Sequence, residues 1–207
     1  MLSNIIDAFA AAIVAVISST GYGGIAMLMA IESACIPLPS EIIMPFAGYL
    51  VSQHQLSLIG VATAGAIGCN LGSTLAYSVG AAGGRPLVER WGRFVLLSSA
   101  DIDLAERFFA RFGSVTVFIC RLLPLVRTFI ALPAGFAHMN PWRFQAYTFV
   151  GSWVWCYCLA YVGMVLGQNW STNPTIRQVF HNADLAIGAL IVLSVAWIAW
   201  RRWRSYD

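Results

Sequence analysis

Lysine is absent from the 207 residues, and all twelve basic side chains are arginine. Charged residues of any kind make up only 10%, against roughly 25% in soluble domains. So few charges cannot cover a water-facing surface, and no nucleic-acid partner is expected. Cysteine is scarce and odd in number: Cys35, Cys69, Cys120, Cys156 and Cys158, with no C-x-x-C pair. That argues against a disulfide framework or a zinc site and leaves the cysteines as small apolar filler. His54, His138 and His181 show no ligand spacing, so neither metal nor cofactor is expected. The N-terminus lacks a basic n-region and Asp7 interrupts its apolar stretch, so no cleavable signal peptide is expected. No low-complexity linker divides the chain, and residues 1–207 read as one membrane domain.

What the sequence does have is apolar length. Hydrophobic residues reach 59% and cluster in runs that a soluble core does not need. Residues 1–20 include a short apolar helix, either interfacial or a tilted span. Residues 56–82 and 142–168 read as two full transmembrane helices, the first rich in glycine with Asn70 inside, the second carrying Trp142, Trp153, Trp155 and Tyr161. The tryptophans read as interface anchors or lipid-facing bulk. Residues 83–111 are amphipathic and polar, and residues 184–204 form a last span. Five arginines lie in 83–111 and three (Arg201, Arg202 and Arg204) close the last span, whereas none precedes Arg85. The positive-inside rule then puts the 83–111 segment and the C-terminus in the cytoplasm.

Two further apolar segments carry charges and prolines. The first reads GIAMLMAIESACIPLPSEIIMPFAGYL and the second GSVTVFICRLLPLVRTFIALPAGFAHM. In each, a glycine (Gly24, Gly113) precedes a charge by eight residues (Glu32, Arg121). A proline follows (Pro37, Pro124), then a second charge (Glu41, Arg127). A proline and an Ala-Gly pair close the unit: Pro45 with Ala47-Gly48, Pro133 with Ala134-Gly135. Each unit precedes one full span, as an internal repeat does. With the arginine-derived orientation, the two units have opposite topology.

Neither segment suits one straight helix. The first exceeds thirty residues, roughly 50 Å as a helix against a hydrocarbon core of ~30 Å. Its prolines, Pro39 among them, remove donors and clash with the preceding turn. On an unbroken helix Glu32 and Glu41 would lie about 180° apart, and Arg121 and Arg127 about 240° apart. A break lets both members of each pair turn inward. The expected fold is therefore all-α and membrane-integral. It comprises inverted repeats at 21–82 and 112–168, each a re-entrant helical hairpin plus a transmembrane helix, with the cytoplasmic amphipathic segment 83–111 and the C-terminal helix 184–204. The expected hairpin breaks are Pro37, Pro39, Pro45, Pro124, Pro133, Gly48 and Gly135.

Charges inside a membrane are costly and mark function or pairing. A plain reading is a structural ion pair fastening the two hairpins. The functional reading is an anion site, in which Arg121 and Arg127 bind a phosphate and Glu32 and Glu41 carry protons. Arginine suits this because its planar fork grips a phosphate with two parallel bonds. Arg85, Arg93 and Asn70 are further headgroup candidates. Asn70 also reads as an interhelical hydrogen bond, and the arginines as plain anchors.

These motifs resemble a known family. ESACIPLPSE, GRPLVERWGR, RFGSVTVFICRLLPLVRTFIALPAG and MNPWRF, spread over about residues 20–168, look like a bacterial DedA-family protein, related to the eukaryotic VTT-domain scramblases. The resemblance implies a transporter of membrane lipids in the bacterial cytoplasmic membrane. Undecaprenyl phosphate, the carrier of cell-wall precursors, is the expected substrate, with protons as partners in transport. The family's essential acids and arginines correspond to Glu32, Glu41, Arg121 and Arg127; some members carry Asp in a longer tip where this chain has Glu41. No enzymatic activity is expected, since no nucleophile–base pair accompanies Ser33 or Ser40. A proton-coupled small-ion transporter is the main alternative, a membrane lipid phosphatase a weaker one, and homo-oligomerisation is left open.

Overall fold

A computed structural model describes residues 13–36, 38–95, 107, 109, 112–123 and 126–167, with 84–95 as backbone only. Pro37, Pro124, the side chains of Arg85 and Arg93, residues 1–12 and the span expected at 184–204 lie outside the described residues. All regular structure described is helical. α1 covers residues 13–20, α2 Tyr22–Ser33, α3 Ser40–Ser52 and α4 Leu58–Val95. α5 covers Val115–Arg121, α6 Val126–Phe129, α7 Ala131–Phe136 and α8 Pro141–Gly167.

Leu58–Gly83 and Pro141–Gly167 are long and apolar enough to cross a membrane. The first does not stop where the polar segment begins. Its helix runs on to Val95, so the boundary expected at residue 83 is a change of composition within one helix. α8 starts where its sequence prescribes. Asn140 Oδ1 accepts the backbone N–H groups of Trp142 (3.0 Å) and Arg143 (3.4 Å), and Pro141 follows the cap, where its missing donor costs nothing.

α4 is arranged inside out relative to a soluble helix. Ile67, Leu71, Leu75 and Val79 are exposed at a spacing of four, while Gly65, Gly68, Gly72 and Gly80 face the other helices. Lipid is as apolar as leucine, so large side chains gain nothing by turning inward, and small ones let backbones approach. α2 uses this on α4: a Cβ on Gly68 or Gly72 would overlap the carbonyls of Ala26 or Ala30.

In the two charged segments one helix ends and another begins: α2 at Ser33 before α3 at Ser40, and α5 at Arg121 before α6 at Val126. Pro39 lies in the first break, extended at ψ 99° as the residue capping α3. Pro45 and Pro133 are not breaks. Pro45 lies inside α3, where it removes only the donor that the Glu41 carbonyl would accept. Pro133 is the third residue of α7, in the first turn, where no helical donor is needed. Gly48 and Gly135 are not breaks either. They are helical close-approach points: a Cβ on Gly48 would overlap the Ala160 carbonyl of α8, and one on Gly135 the Tyr77 carbonyl of α4. Reciprocally, Gly163 of α8 lies against Pro45, and Gly80 of α4 against Leu132 and Gly135.

Each broken segment ends beside its own beginning. The Ser57 N–H donates to Tyr22 Oη at 2.8 Å, and that hydroxyl donates to Ser57 Oγ at 3.2 Å. Gly113 and Ser114 share a cavity of about 290 Å³ with Ala137, Met139 and Asn140. α4 and α8 run antiparallel, in a register set by Tyr77 stacked on Phe144, by Gln145 Nε2 donating to Thr74 Oγ1 (2.6 Å), and by Gly65 against Cys156.

Candidate functional site

Breaking the two segments brings their charges together inside the protein. Glu32 ends its run near the C-terminus of α2, where a carboxylate meets the negative end of the helix dipole. It therefore needs a cation, and Arg127 supplies it. Arg127 Nη2 lies 2.8 Å from Glu32 Oε2, with 1% and 4% of the two side chains exposed. The same Nη2 reaches Cys69 Sγ at 3.6 Å, and the guanidinium lies 5.3 Å from the centre of the Trp155 ring. That stacking on an aromatic face is worth about 2 kcal/mol or more where water is excluded.

Arg121, in the last turn of α5, is equally buried but forms no ion pair among the described residues, although Glu32 lies within electrostatic reach. Its Nη2 donates to Ser73 Oγ on α4, while Nε and Nη1 find no partner in the protein. Glu41 stands in the first turn of α3, where the dipole favours a carboxylate. It is half-buried, accepts a bond from Ser40 Oγ at 3.3 Å, and lies within electrostatic reach of Glu32 and Arg127. The tips also touch: Cys35, strained at φ 67°, has its Sγ 3.6 Å from the Thr128 carbonyl. All four sequence-derived charges thus belong to one region, but only Arg127 and Glu32 form an ion pair among the described residues.

Asn70 Oδ1 is buried and has no hydrogen-bond partner among the described residues. Trp155 is not lipid-facing bulk but the platform under Arg127, and Trp153 Nε1 donates to Thr63 at 3.2 Å. Cys69 and Cys156 are more than filler, since they face each other at the edge of the charged site. Sequence reading also passed over Ser73, Thr148 and Ser152. Helical spacing was the available signal: Thr148, Ser152 and Trp155 recur at four and three residues, one face of α8.

A helical membrane protein that gathers charges at helix breaks between two glycine-lined helices is the class these features define. The chain belongs to the VTT-domain family, the DedA proteins, whose domain model matches residues 38–165. Among its relatives is the uncharacterised membrane protein YkoX of Bacillus subtilis, 36% identical over 84% of this chain and 78% of that one. Undecaprenyl phosphate transporter A of the same organism is 32% identical over 88% and 89%. An alkaline phosphatase-like protein of Lactococcus lactis is 34% identical over 88% of each chain. No solved structure matches the chain.

Proposed function

We propose that this protein carries a polyprenyl phosphate, undecaprenyl phosphate above all, across the bacterial cytoplasmic membrane, coupled to protons. The observation that carries this reading is the charge balance of the buried site. Among the described residues, two fully buried guanidiniums stand against one buried carboxylate, and an uncompensated cation at that depth is tolerated where an anion is its working partner. Relatives named undecaprenyl phosphate transporter A support the choice of anion. The polyprenyl tail stays in the bilayer while its phosphate passes the arginines.

Glu32 supplies the proton link. Its carboxylate and a phosphate compete for Arg127, so a phosphate that takes Arg127 leaves Glu32 to be neutralised by a proton. Among the described residues, Arg127, Arg121, Glu41, Cys69 and Cys156 are the charged or titratable groups within electrostatic reach of Glu32. Binding is therefore accompanied by proton uptake and tightens as pH falls toward about 6, below which the phosphate itself loses charge. In detergent, undecaprenyl phosphate should bind in preference to neutral polyprenol. Arg121→Lys and Arg127→Lys should each bind about 10-fold more weakly, because lysine keeps the charge but not the fork, and alanine should be weaker still. Glu32→Gln and Glu41→Gln should flatten the pH dependence. Equal binding of both lipids, or wild-type affinity in the double alanine variant, would reduce the arginines to fasteners; release of inorganic phosphate would point to a hydrolase.

The two broken segments are proposed to re-enter the membrane from opposite faces, as halves of an inverted repeat covering 21–82 and 112–168. Support comes from the antiparallel α4 and α8 and from the exchange of arms. The returning arm of each segment packs on the span of the other, through Gly48 with Gly163 and Gly135 with Gly80. Residues 83–111 and the C-terminus are then cytoplasmic. Single cysteines at positions 54 and 90, in a cysteine-free background, should label from opposite sides; labelling from one side rejects the topology.

A further inference from the structure

We propose that Thr148 and Ser152 of α8 form, with Ser73 and the free nitrogens of Arg121, a hydroxyl-lined subsite that holds a terminal phosphate. This deepens the transport reading and rests on it for the physiological ligand, although the subsite itself is testable with phosphate alone.

Hydroxyls in helices ordinarily satisfy themselves by bonding a carbonyl one turn back. Thr20 and Thr74 do this, at 2.6 Å each, and Ser52 bonds the Tyr49 carbonyl at 2.7 Å. Thr148 and Ser152 do not. Both are buried, at 0% and 1% exposure, and neither oxygen has a partner among the described residues. A buried hydroxyl left unpaired is costly, so two on one helix face, beside a guanidinium with two unpartnered nitrogens, need an explanation.

The helix register supplies it. α8 lies on α4 with Phe144 at Tyr77, Gln145 at Thr74 and Cys156 at Gly65. Interpolating between these contacts puts Thr148 at the level of Ser73, which holds Arg121, and Ser152 at the level of Cys69, which touches Arg127. On the neighbouring edge of the same face, Gly151 lies against the Arg121 stem, where a Cβ would come within 2.7 Å of the arginine Cβ. Trp155, one turn further, stacks on Arg127 and keeps its Nε1 buried and unpartnered.

Six donor atoms on these side chains are without a partner among the described residues, and a third free oxygen satisfies more of them than two can. Arg121 Nε and Nη1, Arg127 Nη1, the two α8 hydroxyls and the indole N–H are all unpartnered. A diester presents two free oxygens, whereas a terminal phosphate presents three strong acceptors. The subsite therefore selects phosphomonoesters over the diester headgroups of bulk phospholipid, because a diester would leave several buried donors unpaired.

The test is thermal stabilisation of the purified full-length protein by inorganic phosphate and by farnesyl phosphate. Phosphatidylglycerol serves as the diester comparison, and undecaprenyl phosphate translocation is measured in parallel in proteoliposomes. Wild type should be stabilised by both monoesters more than by the diester. Thr148→Val with Ser152→Ala should weaken monoester binding about 10–100-fold, the loss of hydrogen bonds to a charged group, and leave the diester response unchanged. Thr148→Ser, which keeps the hydroxyl, should bind within about 3-fold of wild type. Stabilisation that is lost in the pair and restored by the hydroxyl upholds the subsite even if no lipid is translocated, a result that would count against the transport reading alone. No monoester preference in wild type, or an equal preference in the Val/Ala pair, overturns the subsite.

Discussion

Arg127→Ala should destabilise the folded protein by about 3–5 kcal/mol, and Glu32→Ala by a similar amount, because each leaves its partner charged, buried and alone. The pair bridges α2 and α6 at 2.8 Å with almost no exposure, so little solvent screening softens the loss. Arg127 also gives up its place on the Trp155 ring. Removing both charges together should cost far less than the two single losses added, since nothing unpaired remains. Thermal unfolding in detergent reads all three variants; strictly additive losses would mean that the two side chains do not interact. Arg121 provides the contrast. Among the described residues it forms no ion pair that its loss would break, so Arg121→Met should leave stability unchanged or raise it while removing phosphate binding. A buried charge whose loss stabilises the fold is kept for function, and a fall in stability comparable to that of Arg127→Ala would instead make Arg121 a structural element.

Gly163→Val and Gly48→Val should abolish the folded state, and Gly135→Ala should weaken it by about 1–3 kcal/mol or more, the range for overfilling a packed core. The atoms that an added Cβ would meet are backbone: the Pro45 carbonyl for Gly163, the Ala160 carbonyl for Gly48, the Tyr77 carbonyl for Gly135. No rotamer can relieve such overlaps, so whole helices must separate, and with them the helix breaks that hold the charges. Gly23→Ala is the control with the opposite sign. It is an exposed helical glycine with nothing within 4 Å of its would-be Cβ, so alanine should be neutral or stabilise by up to about 1 kcal/mol through helix propensity. Yield of monodisperse protein and its unfolding temperature report both effects. Tolerance of valine at Gly48 and Gly163 alike would show that the returning arms are not packed on the spans as described.

The sequence by itself determined that this is a helical membrane protein with charges retained inside two apolar segments. Ten per cent charge cannot solvate a surface, and a charge retained inside an apolar run is too costly to be accidental. Glu32, Arg121 and Arg127 were legible for that reason, and all three are buried. Helix spans were legible because their signal is local, apart from the end of α4, where helix and composition part company. Prolines were over-read. A proline marks a missing donor, but whether the chain breaks there depends on what else holds the turn, and Pro45 stays inside its helix. Only the tertiary structure decided which arginine takes the carboxylate, since that pair joins residues 95 apart in sequence and nothing in either segment's periodicity encodes how α2 meets α6. It also decided the partner of each glycine, and it turned Trp155 and the α8 hydroxyls inward. In lipid an apolar or aromatic side chain fits either face of a helix, so composition could not say which way that face points; the antiparallel packing of α8 on α4 did.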